Sequence, residues 1–158
     1  MAVQVAVCGP ASCTEPEAVA AYQVGRLLAQ RGAVVVCGGG TGVMAAAAAG
    51  ARSVGGLVVG VLPGATREGA SPDLSVAVVT QLGQARNAVI VWSADAVVAV
   101  GGSWGTLSEV ALAMRRGGVP VVWLDGWRLV DRDGAPVPGI VHATDPDRAV
   151  ELALGGHG

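Results

Sequence analysis

Residues 97–116, VVAVGGSWGTLSEVALAMRR, pass from an apolar β-branched run through a cluster of glycines into a second apolar pattern at helical spacing. That order reads as strand, tight loop, helix. Residues 96–100 are short, continuous and β-branched, as expected of a strand buried on both faces of a parallel sheet. Gly101, Gly102 and Gly105 leave no Cβ between the loop's amides and a ligand. Thr106 is the expected N-cap, with Glu109 three residues on completing a T-x-x-E capping box ahead of Val110, Leu112, Ala113 and Met114. First-turn amides of such a helix, with the positive end of its dipole behind them, form a site for an anion such as phosphate. The loop Gly101, Gly102, Ser103, Trp104, Gly105, Thr106 therefore reads as a phosphate cradle.

The rest of the chain extends the same alternation. Residues 3–8 form a first strand, and Thr14 with Glu17 caps a helix that runs through Gln30 and stops at Gly32. Residues 33–37 form a second strand, and Gly38, Gly39, Gly40, Thr41 and Gly42 lead into an alanine-rich helix over 43–53. Strands follow at 57–62 and 75–79, separated by a loop of functional length over 63–74, on which Arg67 and Glu68 read either as a solvated pair or as residues that close over the site. A helix over 84–93 carries Arg86 and Asn87 in its first turn. After the central strand and helix come a sixth strand over 119–124, an irregular stretch or small hairpin over 125–138, and a closing helix over 146–154 entered from Asp145. Six strands alternating with helices predict an α/β, Rossmann-like doubly wound sheet, mostly parallel, with helices on both faces. In such a sheet ligands sit outside the carboxyl ends of the strands, where every glycine-rich loop of this chain falls. No loop makes G-x-G-x-x-G with an acid ~20 residues on, nor G-x-x-x-x-G-K-[ST], which disfavours a dehydrogenase or a P-loop ATPase.

Composition narrows the class further. The chain has 158 residues, enough for one domain over 1–158 with a flexible tail at 155–158, and 52% of them are hydrophobic against 14% charged. A formal charge of −2 offers no basic surface for nucleic acid and no polybasic membrane patch. Apolar runs are broken well short of the ~20 residues a membrane helix needs, and no signal-peptide pattern opens the chain, so a cytoplasmic location is expected. Three cysteines, Cys8, Cys13 and Cys37, read as small hydrophobes rather than a disulfide framework or a metal site. His142 and His157 have no metal-like partners, and no cofactor is called for. The chain contains no lysine, which excludes a pyridoxal phosphate Schiff base.

The segment GGSWGTLSE resembles the PGGxGTxxE signature of the Lonely Guy family of nucleotide phosphoribohydrolases and their Rossmann-like relatives. Gly102, Gly105, Thr106 and Glu109 agree with it, while Gly101 stands at its proline and Ser103 at its second glycine. That variant is more like the smaller branch of the superfamily that includes molybdenum cofactor carrier proteins. GGGTGVM, Gly38 to Met44, is similar to the family's GGG-x-x-G-x-M turn, one residue shorter, and QARN, Gln84 to Asn87, to its arginine-bearing helix start. The hydrolases typically follow that arginine with lysine, where this chain has Asn87.

The resemblance implies that Arg86 and Glu109 are a catalytic pair acting on the N-glycosidic bond of a nucleoside 5′-monophosphate. It also implies paired subunits, a dimer or dimer of dimers, for which the small residues of 45–51 permit close helix contact. Each residue has a plainer account. A capping box explains Glu109 completely, and a solvated first-turn charge explains Arg86, although arginine at a helix start opposes the dipole and invites another reason. Trp104 can stack on a base or serve a subunit contact. Two functions stay open: hydrolysis of a nucleotide, favoured by Arg86 with Glu109, and non-catalytic carriage of a pterin or nucleotide ligand, favoured by Asn87 and Ser103.

Overall fold

The computed structural model describes residues 1–155, so His157 and most of the expected tail lie outside the described residues. Seven strands form one sheet: β1 (Gln4–Cys8), β2 (Val34–Cys37), β3 (Val58–Leu62), β4 (Val76–Val79), β5 (Ala96–Val100), β6 (Val121–Leu124) and β7 (Val141–Ala143). Their order is β4-β3-β2-β1-β5-β6-β7, and every neighbouring pair is parallel. The parallel, doubly wound sheet is as expected, and the expected six strands become seven. Strand β7 is the addition, with Val122 of β6 aligned to Val141. Three residues, VHA, are too short to show a period, and only the open edge of β6 makes them a strand.

Helices α1 (Glu15–Gln30), α2 (Val43–Arg52), α3 (Arg86–Trp92), α4 (Trp104–Arg116) and α5 (Pro146–Leu154) divide between the two faces. Val5, Val7, Val35 and Val98 project into a core with α1, α2 and α5, while Ala6, Cys8, Val36, Val97 and Ala99 meet α3 and α4 on the other side. Alternate residues of β1 thus serve opposite cores, which is why its run is apolar throughout. The expected box at α1 is present in both arms, with the Glu17 amide donating to Thr14 Oγ1 at 3.3 Å and the Thr14 amide donating to Glu17 Oε2 at 2.8 Å. Asp145 caps α5 through the Arg148 amide, as its position predicts.

One face of the alanine-rich helix packs within the subunit. Ala47, Ala48 and Ala51 are buried inside this chain against α1. A Cβ on Gly50 would stand 1.9 Å from the Tyr22 carbonyl oxygen, and one on Gly25 would stand 2.0 Å from that of Ala47. The small residues let two helices of one subunit approach backbone to backbone.

Winding reverses between β1 and β5, the strands on either side of the point where the chain changes direction across the sheet. The loops after β1, β2 and β5 therefore converge at one edge. Residues 125–138 fold as a small hairpin, with Val130 bridged to Pro136 and the Asp131 carboxylate accepting from the Asp133 and Ala135 amides. All three cysteines are free, Cys8 and Cys37 buried and Cys13 half-buried. Among the described residues no helix is long and apolar enough to cross a membrane.

Candidate functional site

Helix α4 starts three residues earlier than its sequence suggests. Ser103, in extended backbone, is the N-cap, and its hydroxyl accepts from the Thr106 amide at 3.1 Å. Thr106 lies inside the first turn, buried, with its hydroxyl 2.9 Å from that of Ser103. Serine and threonine both cap well, and nothing local chooses between S-x-x-T and T-x-x-E. The choice has a consequence for Glu109. It falls in the second turn, caps nothing, and is only 7% exposed. The capping account of Glu109 is therefore withdrawn.

Arg86 enters from α3, 9% exposed, so the solvated-charge account fails as well. Both side chains line one cavity of about 170 Å³ together with Asn87, Ser103, Gly105 and Thr106. Arg86 also lines a second cavity of about 350 Å³, walled by Gly38, Gly39 and Gly40 on one side and by the loop after β3 on the other. Glu68 of that loop reaches this wall; Arg67 does not. A Cβ on Gly38 would stand 2.9 Å from Arg86 Nη2, so glycine lets the guanidinium lie against the backbone there.

The remaining sequence candidates lie around these cavities. Gly42, at φ 65°, leaves no room for a Cβ beside the Pro10 and Ala11 carbonyls, and the Thr41 hydroxyl donates to the Ala11 carbonyl at 3.0 Å. These two residues fix the loop after β1. Gly101 adopts φ 71°, which a proline ring cannot reach, so glycine at the signature's proline position gives the loop a left-handed turn. Gly102 lies under the Trp127 indole, and Trp104, 79% exposed, meets that indole edge-on at 5.1 Å. Neither Trp104 nor these glycines line the two cavities. Trp127 carries no motif, and its approach depends on the hairpin folding back over the cradle loop.

Cys8 is a site neighbour that the sequence marks only as a small hydrophobe at a strand end. Its position at the carboxyl end of β1, one residue before Gly9, is the signal that could have drawn attention to it. Its thiol is buried near the Glu109 carboxyl group, and the two influence each other's acidity. Burial pushes Glu109 from its ordinary 4.5 up to about 7, with the Arg86 charge and the Cys8 thiol pulling the other way. Burial and the nearby Glu109 together hold the Cys8 thiol well above its ordinary value. Among the described residues the ion pairs within 4 Å are Arg132 with Asp133 and Arg148 with Glu151, so Arg86 and Glu109 share a cavity without closing on each other. Arg86 Nε is buried without a hydrogen-bond partner. A buried cation and a carboxyl poised near neutrality, next to a helix N-terminus, can hold an oxyanion and exchange a proton beside it.

The parallel, doubly wound sheet and a cleft at its winding reversal make this a Rossmann-like α/β protein. The chain belongs to the SLOG cluster4 family, whose model matches residues 2–150. It is 36% identical over 136 residues to a cytokinin riboside 5′-monophosphate phosphoribohydrolase of Mycobacterium tuberculosis, covering 80% of this chain and 73% of that protein. The structure of a molybdenum cofactor binding protein from Rippkaea orientalis superposes with a TM-score of 0.88 at 34% identity, covering 98% of this chain and 97% of that one. A molybdenum cofactor carrier protein of Chlamydomonas reinhardtii gives 0.83 at 31% identity, with 99% of each chain covered.

Proposed function

We propose that this chain binds a nucleoside 5′-monophosphate, or a related small phosphorylated ligand, and hydrolyses its N-glycosidic bond to free base and ribose 5-phosphate. The observation that carries the reading is the buried Arg86, which burial makes costly unless an anion completes it. Ser103 takes the Thr106 amide and its carbonyl takes that of Leu107, leaving the amides of Trp104 and Gly105 without an acceptor in the helix. The phosphate meets these amides, and Arg86 is its cationic partner. Glu109, ionised in part near neutral pH, orients water toward the anomeric carbon and stabilises positive charge developing on the ribose. Water supplies the new C–O bond while the C–N bond breaks, and its electron pair leaves with the base, which takes up a proton.

Incubation with a panel of nucleoside monophosphates, assayed for ribose 5-phosphate, tests this directly. Turnover is expected, and Arg86→Ala should weaken binding about tenfold or more, the scale of a lost charge-assisted hydrogen bond. A second reading, a non-catalytic carrier of a pterin or nucleotide ligand, is favoured by neutral Asn87 beside Arg86. Ligand-dependent thermal stabilisation without turnover would select it.

We also propose a homo-oligomer, with the contact on the outer face of α3 and α4 rather than on the alanine-rich helix. Val89 and Trp92 are exposed there, and Arg116 lies 5.1 Å over the Trp92 ring. Sedimentation at micromolar concentration should give a dimer or larger, and Trp92→Glu should dissociate it; a monomeric wild-type chain would overturn this.

A further inference from the structure

The puzzle of the site is that Arg86 and Glu109, two buried and opposite charges lining one cavity, stay apart. Left to themselves, a long arginine and a carboxylate in a low-dielectric pocket should close into a bidentate pair. The hydrogen bonds around Arg86 supply a reason. Its Nη1 donates to Asn87 Oδ1, so the next residue along the same helix turns the guanidinium toward itself. Asn87 is itself anchored: its Nδ2 donates to Ser108 Oγ at 3.0 Å, and the Ser108 hydroxyl donates to the Gly105 carbonyl at 2.7 Å. With Asn87 nearly fully buried, both ends of its amide are committed, and the chain of bonds runs from Arg86 on α3 to the first turn of α4. Glu109 projects from that same helix one turn on.

We infer that Asn87 is a positioning residue: moored to α4 through Ser108, it holds the Arg86 guanidinium off Glu109 and keeps open between them a gap large enough for an oxyanion. The inference rests on the proposed ligand site for its purpose, but its physical content concerns the empty pocket. An asparagine can do this where a lysine cannot, because its carbonyl oxygen accepts the guanidinium's hydrogen and an ammonium accepts none. The mooring also sets the acidity of the site. With Arg86 turned aside, burial dominates at Glu109 and its carboxyl keeps a proton close to neutral pH. The titratable or charged groups facing Glu109 are Arg86 from α3, Cys8 from β1 and, beyond it, Cys37 from β2.

The test is a carboxyl ¹³C NMR titration of the whole ligand-free protein labelled at its five glutamates, with the Glu109 resonance assigned by its loss in Glu109→Gln. Wild-type Glu109 should titrate near 7. In Asn87→Ala the freed guanidinium closes on the carboxylate, and the midpoint should fall by about one pH unit or more, a tenfold change in proton affinity. Asn87→Asp keeps an acceptor for Arg86 and should leave the midpoint at or above the wild-type value. Ser108→Ala alters an exposed side chain, and should shift the midpoint down by about a few tenths of a unit as the mooring loosens. A midpoint that stays put in both Asn87→Ala and Ser108→Ala, or falls equally in Asn87→Asp, overturns the positioning role. Because no ligand is present, failure of the nucleotide reading would appear separately, as absence of binding and turnover in the monophosphate panel.

Discussion

Glu109→Gln should lower nucleotide hydrolysis by ~10²-fold or more while ligand binding persists, because it removes a positioned carboxylate and little volume. The same substitution has an expected signature in stability, and its sign separates a buried carboxyl from a helix cap. Glu109 has its pKa raised from 4.5 to about 7 in the folded protein, so between these values the folded state holds a proton that the unfolded state releases. Stability therefore falls as pH rises through that window and stays low above it, by about 3 kcal/mol for a shift of this size. Glutamine does not titrate. Urea denaturation should show wild type and Glu109→Gln alike near pH 4 and the variant more stable at pH 8. A cap would give the opposite result, a loss of about a few tenths to 1 kcal/mol at neutral pH. Unchanged turnover in the variant would remove Glu109 from the chemistry, whatever its effect on stability.

The largest purely structural effect is expected at Gly50→Leu. A Cβ there would lie 1.9 Å from the Tyr22 carbonyl oxygen and 2.8 Å from its carbon, and a helix backbone cannot rotate away as a side chain can. Helices α1 and α2 must separate, opening the contact that buries Ala47, Ala48 and Ala51. Leucine's better helix propensity returns somewhat under 1 kcal/mol, whereas forced separation of a packed interface should cost about 3 kcal/mol or more. For a domain of this size that is a fall in Tm of ~6–12 °C. Gly32→Ala is the comparison: φ is 76° but nothing lies within 4 Å of the added Cβ, so only a left-handed penalty of about 1 kcal/mol applies. Calorimetry showing similar losses for the two would mean that the helices are not in backbone contact.

Local pattern made much of this protein legible. A continuous β-branched run such as 96–100, bounded by glycines, reads as a strand buried on both faces, and the glycine clusters after such runs mark the carboxyl edge of a wound sheet. Thr14 with Glu17, and Asp145 ahead of Pro146, announce their helices correctly because the capping partners lie three residues apart in the chain. The candidate pair Arg86 and Glu109 could be named from their motifs, and they do share a cavity.

What the sequence left open is what depends on partners distant in the chain. Ser103 and Thr106 are equally good caps locally, and the fold sets the start of α4 by the extended backbone that Ser103 adopts after the left-handed Gly101. The alanine-rich helix has the same small surface whether it faces α1 or another subunit, and only the crossing at Gly25 and Gly50 decides that it faces α1. Strand β7 exists because β6 offers an edge. Sequence by itself determined the alternation of strands and helices, the sheet's winding and the edge at which the glycine-rich loops gather, since these follow from short-range periodicity and turn chemistry. Tertiary structure alone decided that Arg86 and Glu109 are buried, that Cys8 adjoins Glu109, that Asn87 is tied to Ser108, and that the two charges stay apart, because burial and electrostatics are set by atoms many residues away.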